Sequence, residues 1–170
     1  MQIYDPLIQK AFTLLSRRRY TVLKLKEKLV LFYEKQVEKE EWPPVSKTDK
    51  EKEIKKVLTR LKELKYLNDT QFSKDYVENR TELRPRGKYL LKKELKRKGI
   101  HPDLAERVVE ETDINEEEVA AKALHKKFKA PILPQTTKQK EKELRFLASR
   151  GFSIPAIYKA IEHWYNRHEI

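Results

Sequence analysis

The chain has 170 residues, a formal net charge of +12 at pH 7 and no Cys. The excess of 39 Lys and Arg over 27 Asp and Glu favours a polyanionic partner, and the lack of Cys excludes a disulfide framework or a thiolate metal site. The start of the chain lacks the pattern of a signal peptide, and no stretch approaches the roughly 20 apolar residues of a membrane span. With only 3 Gly and abundant Leu, Lys, Glu, Arg and Ala, the composition predicts an all-α cytoplasmic protein.

The first part of the chain is predicted to contain two helices and an insertion. The first helix is marked by apolar residues at helical spacing: Ile8, Ala11, Phe12 and Leu15. It ends in the basic run Arg17–Arg19, and Thr21 suits the N-cap of the second helix. The segment 36–52 contains Trp42-Pro43-Pro44 among charged residues, and its prolines stop a helix. We interpret it as an exposed insertion; docking of Trp42 onto the core is an open alternative.

The middle of the chain continues as helices joined by short turns. An apolar stripe from Ile54 to Leu64 predicts a third helix. Either Asn68 or Asp69 can cap the helix that follows, whose buried face would carry apolar and aromatic residues. The segment 84–87, Arg-Pro-Arg-Gly, predicts the next turn.

Glycine, proline and acidic residues indicate where the later helices begin and end. Gly99 and Gly151 are each predicted to close a helix, because Gly adopts the left-handed conformation of a C-cap. Pro102 suits a first helical turn. Asn115 and the three glutamates after it suit a helix start, where negative charge complements the helix dipole. The segment 131–134, which begins and ends with Pro, is predicted to open a loop.

An internal repeat of about 50 residues underlies this order. The segments 91–109 and 144–161 share one plan: a basic helix with Leu, a Gly, an apolar residue, a Pro and an apolar helix. We therefore predict three three-helix units that stack into an elongated, curved molecule. Their predicted bounds are 1–67 with the insertion at 36–52, 68–114, which is strongly basic, and 115–170.

The strongest local signal is the basic segment from Arg80 to Ile100, which holds nine basic and two acidic residues. At about 100° per residue, its lysines and arginines occupy one side of a helix and its leucines the other, with Tyr89 among the cations. This density favours contact with phosphates or an acidic protein surface. A solvated face that keeps the protein soluble is the alternative interpretation.

Two further charge clusters are present. Arg17–Arg19 with Lys24, Lys26 and Lys28 form a second basic cluster, of which helix-dipole complementation explains only a part. Opposite charge gathers between Glu110 and Glu118, where helix capping accounts for half of the carboxylates and contact with another protein could account for the rest.

The sequence gives little indication of catalysis. The four histidines are scattered, without the spacing of a zinc site: His101, His125, His163 and His168. There is no Gly-rich phosphate loop and no pattern that suggests a nucleophile with its base. We expect a protein that is not an enzyme and needs no metal or other cofactor.

Three blocks of sequence, in this order, resemble the RecX family. They are residues 61–72 (LKELKYLNDTQF) continuing to Tyr76-Val77 and Arg80; Arg84-Pro85-Arg86-Gly87 with Leu91, Glu94-Leu95 and Lys98-Gly99-Ile100; and LRFL at 144–147 with SRGFS at 149–153. The ordered combination is more specific than any one block. The family also has an arginine-rich turn followed by a helix with Glu-Leu. The turn corresponds here to Arg18-Arg19-Tyr20-Thr21 and the Glu-Leu pair to Lys24-Leu25, so Lys replaces the Glu. The insertion around Trp42 is longer than the family pattern.

This resemblance implies a monomeric, non-enzymatic regulator that lies in the groove of the RecA filament on DNA. It implies modulation, usually inhibition, of ATP hydrolysis, strand exchange and filament assembly in recombination, DNA repair and the SOS response. The residues we predict to contact DNA or the filament are Arg84, Arg86, Lys88, Lys92, Lys93, Lys96 and Arg97, and secondarily Arg17, Arg18 and Arg19. A stand-alone protein that binds single- or double-stranded nucleic acid with the same helices is the main alternative, and an interaction scaffold is a third.

Overall fold

A computed structural model describes residues 3–132 and 136–166, and all regular secondary structure within these ranges is α-helical. The helices are α1 (Tyr4–Leu15), α2 (Val22–Glu38), α3 (Lys47–Glu63), α4 (Asp69–Glu82), α5 (Lys88–Arg97), α6 (Pro102–Glu111), α7 (Glu116–Phe128), α8 (Thr137–Ser149) and α9 (Ile154–Asn166). The predicted all-α fold class is confirmed. None of the described helices is long and apolar enough to cross a membrane. Pro134, at the end of the predicted loop, and His168 lie outside the described residues.

One compact unit comprises the chain up to Phe72 together with Lys98–Ile100. In this unit α1, α2 and α3 pack against one another in all three pairings. The side chains of Leu7, Leu25, Leu29 and Ile54 are fully buried between them. Burial of each such side chain stabilises the fold by roughly 1.5–3 kcal/mol relative to exposure, so the apolar spacing of the three helices provides this core.

The predicted insertion at 36–52 is wrong at both ends, because α2 continues to Glu38 and α3 already begins at Lys47. The α3 start is set by Ser46, whose side chain accepts a hydrogen bond from the Asp49 amide. Only residues 39–46 are non-helical in this segment. Trp42 docks onto the core, with 7% of its surface exposed and its ring edge-on to that of Phe32 at 5.5 Å.

The cap predicted at Thr21 is confirmed, and the alternative at the start of α4 is resolved. The Thr21 hydroxyl accepts from the Lys24 amide. Asn68 caps α4 by accepting from the Gln71 amide at 2.9 Å. Asp69 instead accepts a 2.9 Å hydrogen bond from the Val22 amide. Burial raises the pKa of the Asp69 carboxyl, and the hydrogen bond from Val22 opposes that rise.

The two helix-closing glycines are confirmed. Gly99 follows α5 with φ +85°, and Gly151 follows α8 with φ +77°. Each is followed by a buried apolar residue, Ile100 or Phe152. Pro102 lies in the first turn of α6, as predicted. The shared plan of α5–α6 and α8–α9 is therefore present in the structure, while the exact division into three repeats stays a prediction.

The second compact unit comprises Ser73–Arg97 and the chain from His101 onward. Here α7 packs on α9, α5 on α6 and α8 on α9. One charged residue, Glu143 of α8, is fully buried among the apolar residues. The Tyr165 hydroxyl donates to its carboxylate at 2.9 Å, and the Gln139 amide donates to it at 2.9 Å. These donors satisfy a carboxylate that burial would otherwise disfavour.

Candidate anion-binding surfaces

Two of the predicted contact residues on α5 have carboxylate partners within the protein. The Lys92 ammonium lies 2.5 Å from the Glu106 carboxylate and 2.7 Å from that of Glu110. Lys88 lies 3.5 Å from Glu110. The hydrogen bonds that Lys92 donates to Glu106 and Glu110 raise the pKa of Lys92, and Lys92 lowers the pKa of Glu110. The positive charge of this side of α5 is therefore largely offset by α6.

The other cations of α5 lie on an exposed face that we call the α5 ridge, which consists of Tyr89, Lys93, Lys96 and Arg97. They fall within about 100° of the helix circumference, from the helical repeat. The three cations are exposed and have no ion-pair partner among the described residues. Tyr89 is 70% exposed beside them. Such cations remain available for phosphate or carboxylate groups of a partner.

The turn between α4 and α5 places its two arginines in different environments. Arg86 is half-buried, and its Nε lies 3.4 Å from the Glu94 carboxylate. Arg80 shares that carboxylate at 3.3 Å, and the Tyr76 hydroxyl also donates to it. Arg84 is exposed and has no ion-pair partner in the described part of the chain.

Arg84 and Arg86 line a cavity of about 340 Å³ in the second unit, which we call the basic cleft. Its other cations are Lys126 and Lys127 from the end of α7 and Arg150, which follows α8. No carboxylate is among the described residues that line it. Sequence reasoning did not identify these three residues as site residues.

The Arg150 guanidinium is held over the Phe146 ring, 4.9 Å from its centroid. Burial lowers the pKa of Arg150, and the positive charge of Arg86 lowers it further. The Lys126 ammonium donates to the carbonyl oxygens of Glu82 and Leu83 at the end of α4, at 2.6 and 3.2 Å. The cleft thus holds like charges close together.

Hydrogen bonds to backbone groups connect the chain segments around the basic cleft. The Gly87 amide donates to the Arg150 carbonyl oxygen at 3.0 Å. The Glu116 carboxylate accepts from the Lys88 amide at 2.7 Å and from the Ser153 amide at 3.3 Å, so it caps the starts of both α5 and α9. The acidic segment around Glu116 therefore has an internal role that its sequence position did not indicate.

The predicted residues Arg17, Arg18 and Arg19 lie in the turn between α1 and α2, in the first unit. All three are exposed. The Arg18 guanidinium lies 4.7 Å from the centroid of the Tyr20 ring, a cation–π arrangement. These arginines form a separate candidate surface within their own unit.

Known proteins resemble this chain in sequence and in fold. Residues 68–109 match the second three-helix domain of RecX, and residues 115–161 match the third. The regulatory protein RecX of Cronobacter sakazakii is 30% identical over 164 residues, which cover 94% of each chain. That of Prosthecochloris aestuarii is 34% identical over 111 residues, covering 64% of this chain and 70% of the relative. The crystal structure of RecX from Lactobacillus salivarius has a similar fold, with a TM-score of 0.72 over 96% of this chain and 97% of that one at 20% identity.

Proposed function

The chain belongs to the RecX family of regulatory proteins, and we propose that it is an inhibitor of the RecA recombinase. In this proposal the protein binds as a monomer in the groove of the RecA filament on DNA. It lowers ATP hydrolysis, strand exchange and filament assembly by binding alone, without chemistry of its own. It would act in the cytoplasm during recombination, DNA repair and the SOS response.

The observation that supports this proposal most directly is the α5 ridge. Its three cations are exposed and unpaired within the described chain, whereas Lys92 on the adjoining side of the same helix is neutralised by carboxylates. A nucleoprotein filament presents phosphates and acidic side chains, and exposed cations attract both. Tyr89, 70% exposed, adds a rigid aromatic contact of the kind enriched at interfaces.

The test is ATP hydrolysis by the cognate recombinase on single-stranded DNA, with this protein titrated in at substoichiometric amounts. We expect strong suppression by the wild-type chain, since one regulator bound in a filament affects many subunits. Simultaneous charge reversal of Lys93, Lys96 and Arg97 to Glu is expected to weaken the suppression at least tenfold, which corresponds to about 1.4 kcal/mol of binding free energy.

A matched control changes the net charge equally at a different place. Lys47, Lys52 and Lys55 are exposed on α3 and lack ion-pair partners among the described residues. Their reversal to Glu should leave suppression within about twofold, since surface charges that do not take part in the contact are screened by salt. Equal losses in the two triple variants would contradict a specific role for the α5 ridge. If wild-type protein leaves ATP hydrolysis unchanged but binds DNA, the stand-alone nucleic-acid-binding interpretation replaces the proposal.

A further inference from the structure

The basic cleft has more positive charge than the protein itself neutralises. Of its five cations, Arg86 contacts Glu94, which Arg80 also contacts. Arg84, Lys127 and Arg150 have no ion-pair partner among the described residues. Arg150 is half-buried beside Arg86, whereas Arg84 and Lys127 are exposed at the same cavity, and cations gathered in this way attract an anion. The arrangement therefore favours an anionic ligand.

We infer that the basic cleft binds the phosphodiester backbone of a DNA strand through Arg84, Lys127 and Arg150. The inference deepens the proposed function and rests on it for the identity of the DNA, which would be the strand within the filament. It adds a contact site separate from the α5 ridge. This site includes Lys127 and Arg150, which were not among the contact residues predicted from the sequence.

The chemistry of the lining favours phosphate. Arginine presents a planar fork of donors that matches two phosphate oxygens at once, and the cleft places three arginines around one cavity. Side-chain cations contact phosphates irrespective of base sequence. Leu83 and Pro85 also line the cavity, and their apolar atoms suit the sugars that link successive phosphates. A volume of about 340 Å³ accommodates a backbone segment rather than one small ion.

Arg150 is the residue best placed to form the contact. Its backbone carbonyl is fixed by the Gly87 amide at 3.0 Å, and its guanidinium rests on the Phe146 ring. Both contacts restrict its motion before any ligand binds. A restricted side chain loses less conformational entropy on binding, which strengthens the interaction.

The experiment measures binding of a fluorescent single-stranded oligothymidine to the full chain over a series of salt concentrations. Each phosphate contact on a single strand contributes about 0.7 to the slope of log affinity against log salt. We expect Arg150→Gln to lower the slope by about 0.7 and to weaken binding. Arg150→Lys should keep the slope while losing part of the affinity, because it retains the charge without the planar fork.

The matched control is Arg145→Gln on α8, the helix that Arg150 follows. Arg145 is exposed, pairs with Glu141 at 3.4 Å and does not line the cleft. It should leave the slope nearly unchanged, so equal slopes for the two Gln variants would overturn the inference. Lys127→Gln is a second cleft variant whose exposed position makes misfolding no concern, and it should lower the slope in the same way as Arg150→Gln.

Two competitors distinguish other ligands of the same charge. Inorganic phosphate and chloride are compared as competitors at equal ionic strength. If phosphate displaces oligothymidine much more strongly than chloride does, the cleft binds a free anion and the inference is overturned. The second competitor is a polyglutamate peptide. If Arg150→Gln weakens binding of this peptide but leaves the oligothymidine slope unchanged, the basic cleft binds an acidic protein surface instead. The expected result is that neither competitor shows such an effect.

The same variants separate this inference from the proposed function. If wild-type protein fails to suppress the recombinase but Arg150→Gln lowers the oligothymidine slope, the cleft assignment stands and the filament proposal fails. If wild-type protein suppresses ATP hydrolysis and Arg150→Gln leaves the slope unchanged, the filament proposal stands and the cleft assignment fails.

Discussion

Gly87 and Arg150 are joined by a direct backbone hydrogen bond, in which the Gly87 amide donates to the Arg150 carbonyl oxygen at 3.0 Å. The approach is so close that a Cβ atom on Gly87 would lie 2.1 Å from the carbonyl oxygen of Gly151. The start of α5 therefore meets the turn between α8 and α9 backbone to backbone. This contact places Arg86 near Arg150 and creates the basic cleft.

Replacement of Gly87 by Ala is expected to lower the free energy of unfolding. Gly87 is not among the residues with positive φ, so Ala could adopt its conformation and would gain about 0.4–1 kcal/mol from the less flexible unfolded chain. Overlap of the new Cβ atom with rigid backbone costs more, roughly 1–3 kcal/mol, so the net change is a loss of stability. Urea unfolding measures the change. Ala148→Ser, at an exposed position of α8, should stay within about 0.5 kcal/mol; a gain in stability for Gly87→Ala would contradict the close contact.

Neighbouring lysines on α5 are predicted to have different roles. Lys93→Gln removes an exposed cation of the α5 ridge and should weaken suppression of the recombinase, with thermal stability unchanged. Lys92→Gln removes the shared partner of Glu106 and Glu110 and should lower the thermal midpoint, because Glu106 then lacks its cation and Glu110 retains only the more distant Lys88. Recombinase assays and thermal unfolding of both variants provide the comparison. Identical behaviour of the two in both assays would contradict the division of α5 into a paired and a free side.

The sequence predicts local features of this fold well because their chemistry is contained in a few consecutive residues. The cap at Thr21 requires only an oxygen three residues before an amide. Gly99 and Gly151 end helices through a backbone conformation that few other residues adopt. Where two local solutions compete, as at Asn68 and Asp69, the outcome depends on a distant group, the Val22 amide that engages Asp69.

The basic cleft is less predictable because its residues come from three separate segments. Lys127 fits the ordinary pattern of a cation near a helix C-terminus. Arg150 belongs to the block at 149–153 that resembles the RecX family, but its local sequence does not mark it as a contact residue. Only the contact between Gly87 and the turn at Arg150 brings these cations beside Arg84. Charge counting likewise cannot tell Lys92 from Lys93, since the distinction arises from the position of α6.

The contact between α5 and α6 should make stability depend on pH in acid. Lys92, through its hydrogen bond and its charge, holds the pKa of Glu110 below the ordinary value of 4.5. A depressed carboxyl pKa contributes stability above the unfolded pKa, and this contribution is lost as pH falls through the folded pKa. The wild type should therefore be more stable than Glu110→Gln at pH 7. The difference should begin to shrink as pH falls below the unfolded reference value of about 4.3, and it should vanish below the lower pKa of the folded state.

Urea unfolding at a series of pH values measures this difference. The control is Glu110→Gln introduced into Lys92→Met, where most of the pH-dependent difference should be absent because the principal partner is gone. A difference between wild type and Glu110→Gln that persists unchanged to pH 3 would show that the carboxylate acts through its shape rather than its charge.

The buried carboxylate of Glu143 provides a prediction for the core of the second unit. The Tyr165 hydroxyl donates to both of its oxygens, at 2.9 and 3.2 Å. Tyr165→Phe would leave a fully buried carboxylate with one donor fewer, and removing one partner of a buried polar group costs roughly 1–3 kcal/mol. Tyr158→Phe is the matched control on α9, since Tyr158 is 53% exposed, and it should change the free energy of unfolding by less than about 0.5 kcal/mol.

A double-mutant cycle with Glu143→Gln identifies the charge as the cause. Hydrogen bonds to an ionised acceptor are about twice as strong as neutral ones, so Tyr165→Phe should cost less in the Glu143→Gln background than in the wild type. Urea unfolding of the four proteins gives the coupling free energy. A coupling near zero, or a cost no larger than that of Tyr158→Phe, would mean that Tyr165 stabilises α9 through its ring alone and that the remaining donor, Gln139, suffices for Glu143.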